Sequence, residues 1–162
     1  MVSILVAYTN KNRIIGSEGK IPWNLPSERN RFKEITNNKY IIMGRKSFEE
    51  IGHALPYCTI IIVSKTLTTA PNNCLLYSSL EDAIAFTKDK GEVLIAGGGE
   101  IYKQSLPFTS TIYATEIEAE YEGDVYFPKL EGLWDKKIEE TKIENNIKYS
   151  YVTYTRHMVD QL

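Results

Sequence analysis

Five short apolar segments constrain the fold of this chain more than any other feature. They occupy residues 2–7, 40–43, 59–63, 92–96 and 111–117. Continuous apolar runs of this length are typical of strands buried on both faces of a sheet. Helical patterns lie between several of them, as at residues 26–37 and 80–90. This alternation predicts an α/β protein with a mostly parallel sheet.

The end of the chain follows a different pattern. Residues 134–143 and 147–156 are both rich in β-forming side chains, and Asn145-Asn146 separates them. Two such runs joined by a short polar dipeptide predict a hairpin at an antiparallel edge of the sheet. We find no internal repeat and no linker, so we expect one domain over residues 1–162.

Charge and composition disfavour several classes of function. The formal net charge is −2, without a block of like charge, which disfavours a nucleic-acid partner. No apolar run approaches the ~18 residues that span a bilayer. Cys58 and Cys74 form no metal or redox motif, and no signal peptide is recognisable, so we expect a cytoplasmic protein. His53 and His157 leave few candidates for a metal site, and we expect no metal.

Glu28 is the first candidate for proton chemistry. Pro26 suits the first turn of a helix. In that helix Leu25, Glu28 and Phe32 fall on one face. A carboxylate that faces a buried apolar surface should have a raised pKa and a functional role. Alternatively, Glu28 is a solvated glutamate that interacts favourably with the helix dipole. The spacing alone leaves both interpretations open.

The junction Met43-Gly44-Arg45-Lys46-Ser47 is a candidate phosphate site. Glycine at the end of a strand lets a ligand approach the backbone, and a following helix offers free N–H groups. The two basic side chains add positive charge. An ordinary turn with exposed basic residues would have the same sequence. This motif alone therefore does not distinguish a phosphate site from such a turn.

The second glycine-bearing junction, Gly97-Gly98-Gly99, follows another apolar segment. Each glycine lowers stability through chain entropy, so close approach of a flat or phosphorylated ligand explains the triplet better than packing does. The pattern is not the dinucleotide motif Gly-x-Gly-x-x-Gly. We therefore expect a nucleotide site of another type, at the carboxyl ends of the strands.

Together, four motifs resemble those of the dihydrofolate reductase family in order and spacing, over almost the whole chain. They are Ile21-Pro22-Trp23-Asn24-Leu25-Pro26 with Glu28 and Phe32, Met43-Gly44-Arg45-Lys46-Ser47-Phe48, Gly97-Gly98-Gly99-Glu100-Ile101-Tyr102, and Glu122-Gly123-Asp124 with Phe127-Pro128. The resemblance implies an eight-stranded, mainly parallel sheet with an antiparallel C-terminal hairpin and about four helices. It also implies NADPH as hydride donor, 7,8-dihydrofolate as substrate, tetrahydrofolate as product and antifolates as inhibitors. We expect a monomer that binds neither nucleic acid nor membrane.

The resemblance also implies a role for particular residues around the substrate. Glu28 would be the ionisable catalytic residue, Trp23 would hold a water near it, and Thr115 would hydrogen-bond its carboxylate. The substrate slot would be lined by Leu5, Ala7, Phe32, Ile51, Leu55 and Tyr102. The loop of residues 9–24, with Ile21 at its inner edge, resembles the mobile lid of the family.

The expected NADPH site joins both glycine-bearing junctions. Ala7 and Ile15 would offer backbone groups to the nicotinamide amide, and Lys46 and Ser47 would contact the pyrophosphate. Arg45, Ser64 and Lys65 would surround the 2′-phosphate that distinguishes NADPH from NADH. The other expected cofactor residues are Gly44, Val63, Ala96, Gly97, Gly98, Gly99, Glu100, Ile101 and Tyr102.

Three residues depart from the family pattern. Cys58 follows Leu55-Pro56-Tyr57, where the family usually has an arginine for the folate α-carboxylate. Arg29 stands where bacterial members usually carry an apolar residue, and Ala96 where many members carry a larger aliphatic residue. We hypothesise that Arg29, assisted by Lys33, replaces the missing arginine, against the alternative that Arg29 is a solvated helix charge. Because these departures alter the wall of the substrate slot, we also expect trimethoprim-like inhibitors to bind more weakly.

Two other functions remain possible at this point. A reductase that acts on a pyrimidine precursor of riboflavin shares the sheet topology, but it should lack the Pro-Trp and acid arrangement present here. A non-catalytic NADPH-binding protein is favoured by Cys58 and disfavoured by the presence of Glu28, Trp23 and Thr115.

Overall fold

The computed structural model describes residues 1–16 and 22–157. Its strands are β1 Val2–Thr9, β2 Ile14–Gly16, β3 Tyr40–Gly44, β4 Thr59–Val63, β5 Leu75–Tyr77, β6 Val93–Ile95, β7 Thr109–Glu118, β8 Val125–Tyr126, β9 Trp134–Glu144 and β10 Ile147–Arg156. Its helices are α1 Pro26–Thr36, α2 Arg45–Ile51, α3 Leu80–Thr87 and α4 Gly99–Ser105, followed by a 3₁₀ turn at Leu106–Phe108.

Eight of the strands form one mixed sheet in the order β5-β4-β3-β6-β1-β7-β10-β9. The pairs from β5 to β7 are parallel, and β10 runs antiparallel to both of its neighbours. The expected fold class is thereby confirmed, including the mostly parallel sheet and the antiparallel C-terminal hairpin. Parallel neighbours explain why the central strands are apolar on consecutive residues, since both faces are covered.

The two faces of the sheet bury separate hydrophobic clusters. On β3, Ile42 packs into one cluster, while Ile41 and Met43 pack into the other, as the two-residue period of a strand requires. Phe48 from α2 belongs to the second cluster, and Phe32 from α1 packs against it. These contacts fix α1 and α2 against the same face of the sheet.

The C-terminal hairpin turns at Asn145 and Asn146, which have φ angles of 51° and 61°. Two consecutive residues with positive φ are the geometry that best joins twisted antiparallel strands, and asparagine tolerates it. The hairpin then runs beside β7, where Tyr151 on β10 lies opposite Thr115.

One feature differs from the sequence-based expectation. Part of the segment expected to be a loop forms the short strand β2, which pairs with β8 in a separate two-stranded sheet. A Cβ atom at Gly123 would lie 2.5 Å from the Gly16 carbonyl oxygen, so only glycine permits this approach. Residues 17–21, which include Ile21 and the centre of the expected lid, lie outside the described residues.

Within the part of the chain that the structure describes, no helix combines the length and apolar character needed to cross a membrane.

Candidate active site

A cleft of 870 Å³ opens at the carboxyl edge of the sheet, between α1, α2 and the glycine-rich turn before α4. This volume is within the usual range for small-molecule sites. The lining is mostly apolar with a few charged groups: Leu5, Val6, Ala7, Ile15, Gly16, Trp23, Asn24, Leu25, Glu28, Arg29, Arg31, Phe32, Met43, Lys46, Ser47, Glu50, Ile51, His53, Leu55, Tyr57, Ala96, Gly97, Gly98, Gly99, Tyr102 and Val125.

Glu28 lies in the first turn of α1 and is partly buried in this cleft. The hydroxyl of Thr115 donates a 2.8 Å hydrogen bond to Glu28 Oε1. Burial raises the pKa of the Glu28 carboxyl, and the nearby Glu144 raises it further. The Thr115 hydrogen bond and the charge of Arg31 oppose this rise without cancelling it. Glu28 therefore has a greater affinity for a proton than a solvated glutamate.

The hairpin at the end of the chain positions the start of α1. The helix receives no side-chain cap from its own N-cap residue, Leu25. Instead, Glu144 accepts a 3.1 Å hydrogen bond from the Ser27 backbone N–H, and the hydroxyls of Ser27 and Tyr149 are 2.5 Å apart. These contacts satisfy a free N–H of the first turn and fix the helix next to Glu28.

Aromatic side chains close the inner end of the cleft. Trp23 is buried beside Leu25, and its ring centroid lies 6.0 Å from that of Tyr121. Tyr102 donates a 2.8 Å hydrogen bond to the Leu5 carbonyl oxygen. Burial raises the pKa of Tyr102, so its hydroxyl stays protonated and holds β1 in place.

The glycine turn presents backbone instead of side chains to the cleft. Gly97 has a φ angle of 112°, which side chains strongly disfavour, and its carbonyl accepts a 2.9 Å hydrogen bond from Gly44 N–H. A Cβ atom would lie 3.0 Å from Ser47 Oγ at Gly97, and 3.0 Å from Val125 Cγ1 at Gly99. The triplet therefore creates space in which a flat group can contact the backbone.

The basic residues expected at the 2′-phosphate lie on two adjacent strand ends. Gly44 and Val63 are paired across β3 and β4, so Arg45 and Ser64 follow at the same edge of the sheet. Arg45 forms a 2.7 Å ion pair with Glu49, while Lys65 is exposed. The three residues thus lie at the same edge of the sheet, outside the lining of the cleft.

Some of the expected site residues line the cleft, and others lie outside it. Those that line the cleft are Leu5, Ala7, Ile15, Trp23, Glu28, Arg29, Phe32, Lys46, Ser47, Ile51, Leu55, Ala96, Gly97, Gly98, Gly99 and Tyr102. Thr115 adjoins it through its hydrogen bond to Glu28. Outside the lining lie Lys33, Gly44, Arg45, Val63, Ser64, Lys65, Glu100 and Ile101. Of these, Ile101 is buried in the core and Glu100 is exposed.

Sequence reasoning missed several lining residues, including Arg31, Glu50, His53 and Tyr57. Arg31 had a usable signal, because its three-residue spacing from Glu28 puts both on one helical face. Among residues 1–16 and 22–157, no group of His, Cys, Asp and Glu side chains is arranged to hold a metal ion.

Comparisons with known proteins agree with one another. The family model described as dihydrofolate reductase matches residues 1–156. The chain is 38% identical over 141 residues to dihydrofolate reductase of Haemophilus influenzae, a match that covers 86% of this chain and 88% of that protein. It is 36% identical over 160 residues to the Bacillus subtilis enzyme of the same name, with 96% and 95% covered. A solved dihydrofolate reductase from Enterococcus faecalis, complexed with NADP(H) and RAB-propyl, has a TM-score of 0.89 and 29% identity, and the match covers 97% of this chain and 96% of that one.

Proposed function

The chain belongs to the dihydrofolate reductase family, and we propose that the cleft at the carboxyl edge of its sheet is the site where it reduces 7,8-dihydrofolate with NADPH. The enzyme is an oxidoreductase that acts on a CH–NH group and forms 5,6,7,8-tetrahydrofolate. The observation that carries the assignment of the site is the Glu28–Thr115 hydrogen bond inside an apolar cleft beside the glycine turn.

Glu28 is the residue that promotes protonation of the substrate at N5. The substrate gains a proton on N5, and a positioned acid with a raised pKa contributes to this step. Thr115 holds one oxygen of Glu28, which leaves the other for the pterin or for a water near Trp23. Glu50 also lines the cleft, but it is exposed, so Glu28 is the better candidate.

The glycine turn and its neighbours fit NADPH. When bound, NADPH supplies a hydride from C4 of its nicotinamide to C6 of the pterin. Backbone groups of Ala7 and Ile15 hold the nicotinamide amide, and the space left by Gly97 and Gly99 admits the ring. Tyr102 donates its hydroxyl hydrogen bond to the Leu5 carbonyl oxygen and so helps to hold β1 at the cleft. A dry apolar slot favours reactions that need two rings in direct contact.

Charged side chains at the outer edge hold the phosphates. Lys46 and Ser47 line the cleft at the start of α2 and meet the pyrophosphate. Arg45, Ser64 and Lys65, at the ends of β3 and β4, take the 2′-phosphate. Two cations near a doubly charged phosphate favour NADPH over NADH.

The slot for dihydrofolate lies between Phe32 and Ile51, which belong to one hydrophobic cluster. Leu5, Leu55 and Ala7 complete its wall.

Arg29 binds the glutamate tail of the substrate in place of the arginine that the family usually has at the position of Cys58. Cys58 is half-buried, and burial raises the pKa of its thiol to about 11, so it is uncharged near neutral pH. Arg29 is exposed and lines the cleft. The Lys33 ammonium lies 5.6 Å from the ring centroid of Tyr57, another lining residue. Both cations therefore flank the mouth through which the tail leaves.

The protein acts as a monomer in the cytoplasm. Cys58 and Cys74 are both free thiols, as is usual in a reducing compartment.

A coupled measurement of binding and turnover tests this function. We expect NADPH to bind and to be oxidised at a steady rate only when 7,8-dihydrofolate is added, with equimolar tetrahydrofolate as product. Tight NADPH binding without oxidation would instead indicate a non-catalytic binding protein. Oxidation with an aminopyrimidine riboflavin precursor, but not with dihydrofolate, would indicate the other reductase class.

A further inference from the structure

Arg31 is a charged residue in the cleft that the proposed mechanism does not use. It lines the cleft, and its guanidinium carbon lies 3.9 Å from the ring centroid of Tyr151. Its Nε atom is buried and has no hydrogen-bond partner in the described part of the chain. A buried donor without a partner lowers stability. Packing against Tyr151 alone therefore does not account for a buried guanidinium nitrogen at this position.

Arg31 belongs to a closed set of contacts around Glu28. The two residues are three apart on α1 and share a helical face. Tyr151, beneath the Arg31 guanidinium, is paired across β10 and β7 with Thr115. Thr115 in turn donates its hydroxyl hydrogen bond to Glu28. The helix, the ring contact and the strand pairing thus fix the guanidinium relative to the carboxyl group.

The groups that face Glu28 come from four elements. Thr115 on β7 is an uncharged donor, and Glu144 on β9 is a second carboxylate whose charge raises the pKa of Glu28. On β10, burial raises the pKa of Tyr151 to about 12, so its hydroxyl is neutral. Arg31 on α1 is the cation whose charge lowers the pKa of Glu28.

We propose that Arg31 is a positioning residue that sets the acidity of Glu28 and thereby the pH range in which the enzyme delivers its proton, an inference that rests on the proposed function. A guanidinium stays charged at every working pH. Its ring contact with Tyr151 fixes that charge in place. Burial and Glu144 favour the protonated carboxyl, while Arg31 and Thr115 favour the carboxylate. The net effect is a raised pKa for the Glu28 carboxyl, which Arg31 and Thr115 keep lower than burial and Glu144 alone would make it.

Titration of Glu28 itself is the direct test, and it does not depend on turnover. Protein labelled with ¹³C at the glutamate carboxyl carbon is titrated by NMR, and the Glu28 signal is assigned by its absence in Glu28→Gln. We expect Arg31→Met, which keeps a long apolar side chain, to raise the Glu28 midpoint by about one pH unit. Arg31→Lys, which keeps the charge, should restore at least half of that difference.

Lys88→Met is the matched control, because it removes one exposed cation at the end of α3. It should leave the Glu28 midpoint and the pH profile of hydride transfer unchanged. In Arg31→Met the profile should shift upward together with the NMR midpoint. An unchanged midpoint, an equal shift in Lys88→Met, or a midpoint shift without a shift in the rate profile would overturn the proposal. If the wild type oxidises no NADPH with dihydrofolate, the proposed function fails, while the NMR comparison still decides whether Arg31 controls Glu28.

Discussion

Among single side chains, Glu28 is the one whose proposed role lowers the stability of the folded state when its carboxyl is ionised. Burial raises the pKa of this carboxyl above its ordinary value of 4.5, so the folded state prefers it protonated. Its contribution to stability is therefore fully present below pH 4.5 and is lost as the pH rises through the higher, folded-state pKa. Above that pKa, the ionised form is held in the cleft at a cost in folding free energy.

Glu28→Gln should for this reason be more stable than wild type at about pH 8 and equal to it at about pH 4. The glutamine carbonyl can still accept the hydrogen bond from Thr115, so the packing is kept. Urea unfolding at the two pH values measures the difference. A change in unfolding free energy that is the same at both values would contradict the raised pKa.

Arg29 is the residue for which substrate binding gives the clearest prediction. If it binds the glutamate tail, Arg29→Leu should weaken the complex by about 1–3 kcal/mol, a loss typical of a hydrogen bond to a charged group. We expect the KM for dihydrofolate to rise at least several-fold, while a dihydropterin without the tail is little affected. Lys103→Leu, which removes an exposed cation on α4, is the control. Equal effects of Arg29→Leu on both substrates would show that Arg29 does not recognise the tail.

At the level of helices and strands, the carboxyl ends of β3 and β4 make cofactor choice testable. The pairing of Gly44 with Val63 places Arg45, Ser64 and Lys65 at the same edge of the sheet. The double variant Arg45→Ala with Lys65→Ala should lower the ratio of NADPH to NADH affinity by at least tenfold, since the 2′-phosphate carries about −1.5 to −2 charge. Fluorescence titration with both nucleotides measures the ratio. An unaltered ratio would place the 2′-phosphate elsewhere.

The elements with strong local signals were predictable from the sequence. The apolar runs of the parallel strands and the Asn145-Asn146 hairpin depend on side chains close together in the chain. The pairing of β2 with β8 was not predictable, because these strands have three and two residues and are joined only by tertiary contacts. The start of α1 at Pro26 was predictable, but its acceptor Glu144 was not, because Glu144 lies 117 residues from Ser27.

The site was predictable to a similar extent. Motif residues such as Glu28 and the glycine triplet could be recognised, and they lie in the cleft. The spacing of Arg31 from Glu28 indicates a shared helical face, but the contact of Arg31 with Tyr151 could not be read from the sequence. The same is true of the charge of Glu144 near Glu28, because it depends on the packing of α1 against the C-terminal hairpin.

For the molecule as a whole, we expect the cleft wall to determine the affinity for antifolates. Trimethoprim-like inhibitors lack a glutamate tail, so they depend on the wall to which Ala96 and Arg29 contribute. We expect weak inhibition of the wild type relative to dihydrofolate binding. Ala96→Val should strengthen inhibition by about 0.8 kcal/mol for each added carbon that the inhibitor buries. Ala85→Val, on the exposed face of α3, is the control. Nanomolar inhibition of the wild type would contradict this prediction.

We expect this chain to transfer a hydride in a cleft where Glu28 supplies the proton that the substrate gains on N5. Single-turnover mixing of the NADPH complex with 7,8-dihydrofolate, at pH values from about 6 to 9, measures the rate of that step. We expect the wild-type rate to fall as the pH rises, and Glu28→Gln to be slower by about 10²-fold or more at neutral pH and above. A Glu28→Gln enzyme with the same rate and the same pH dependence as the wild type would show that Glu28 does not supply the proton.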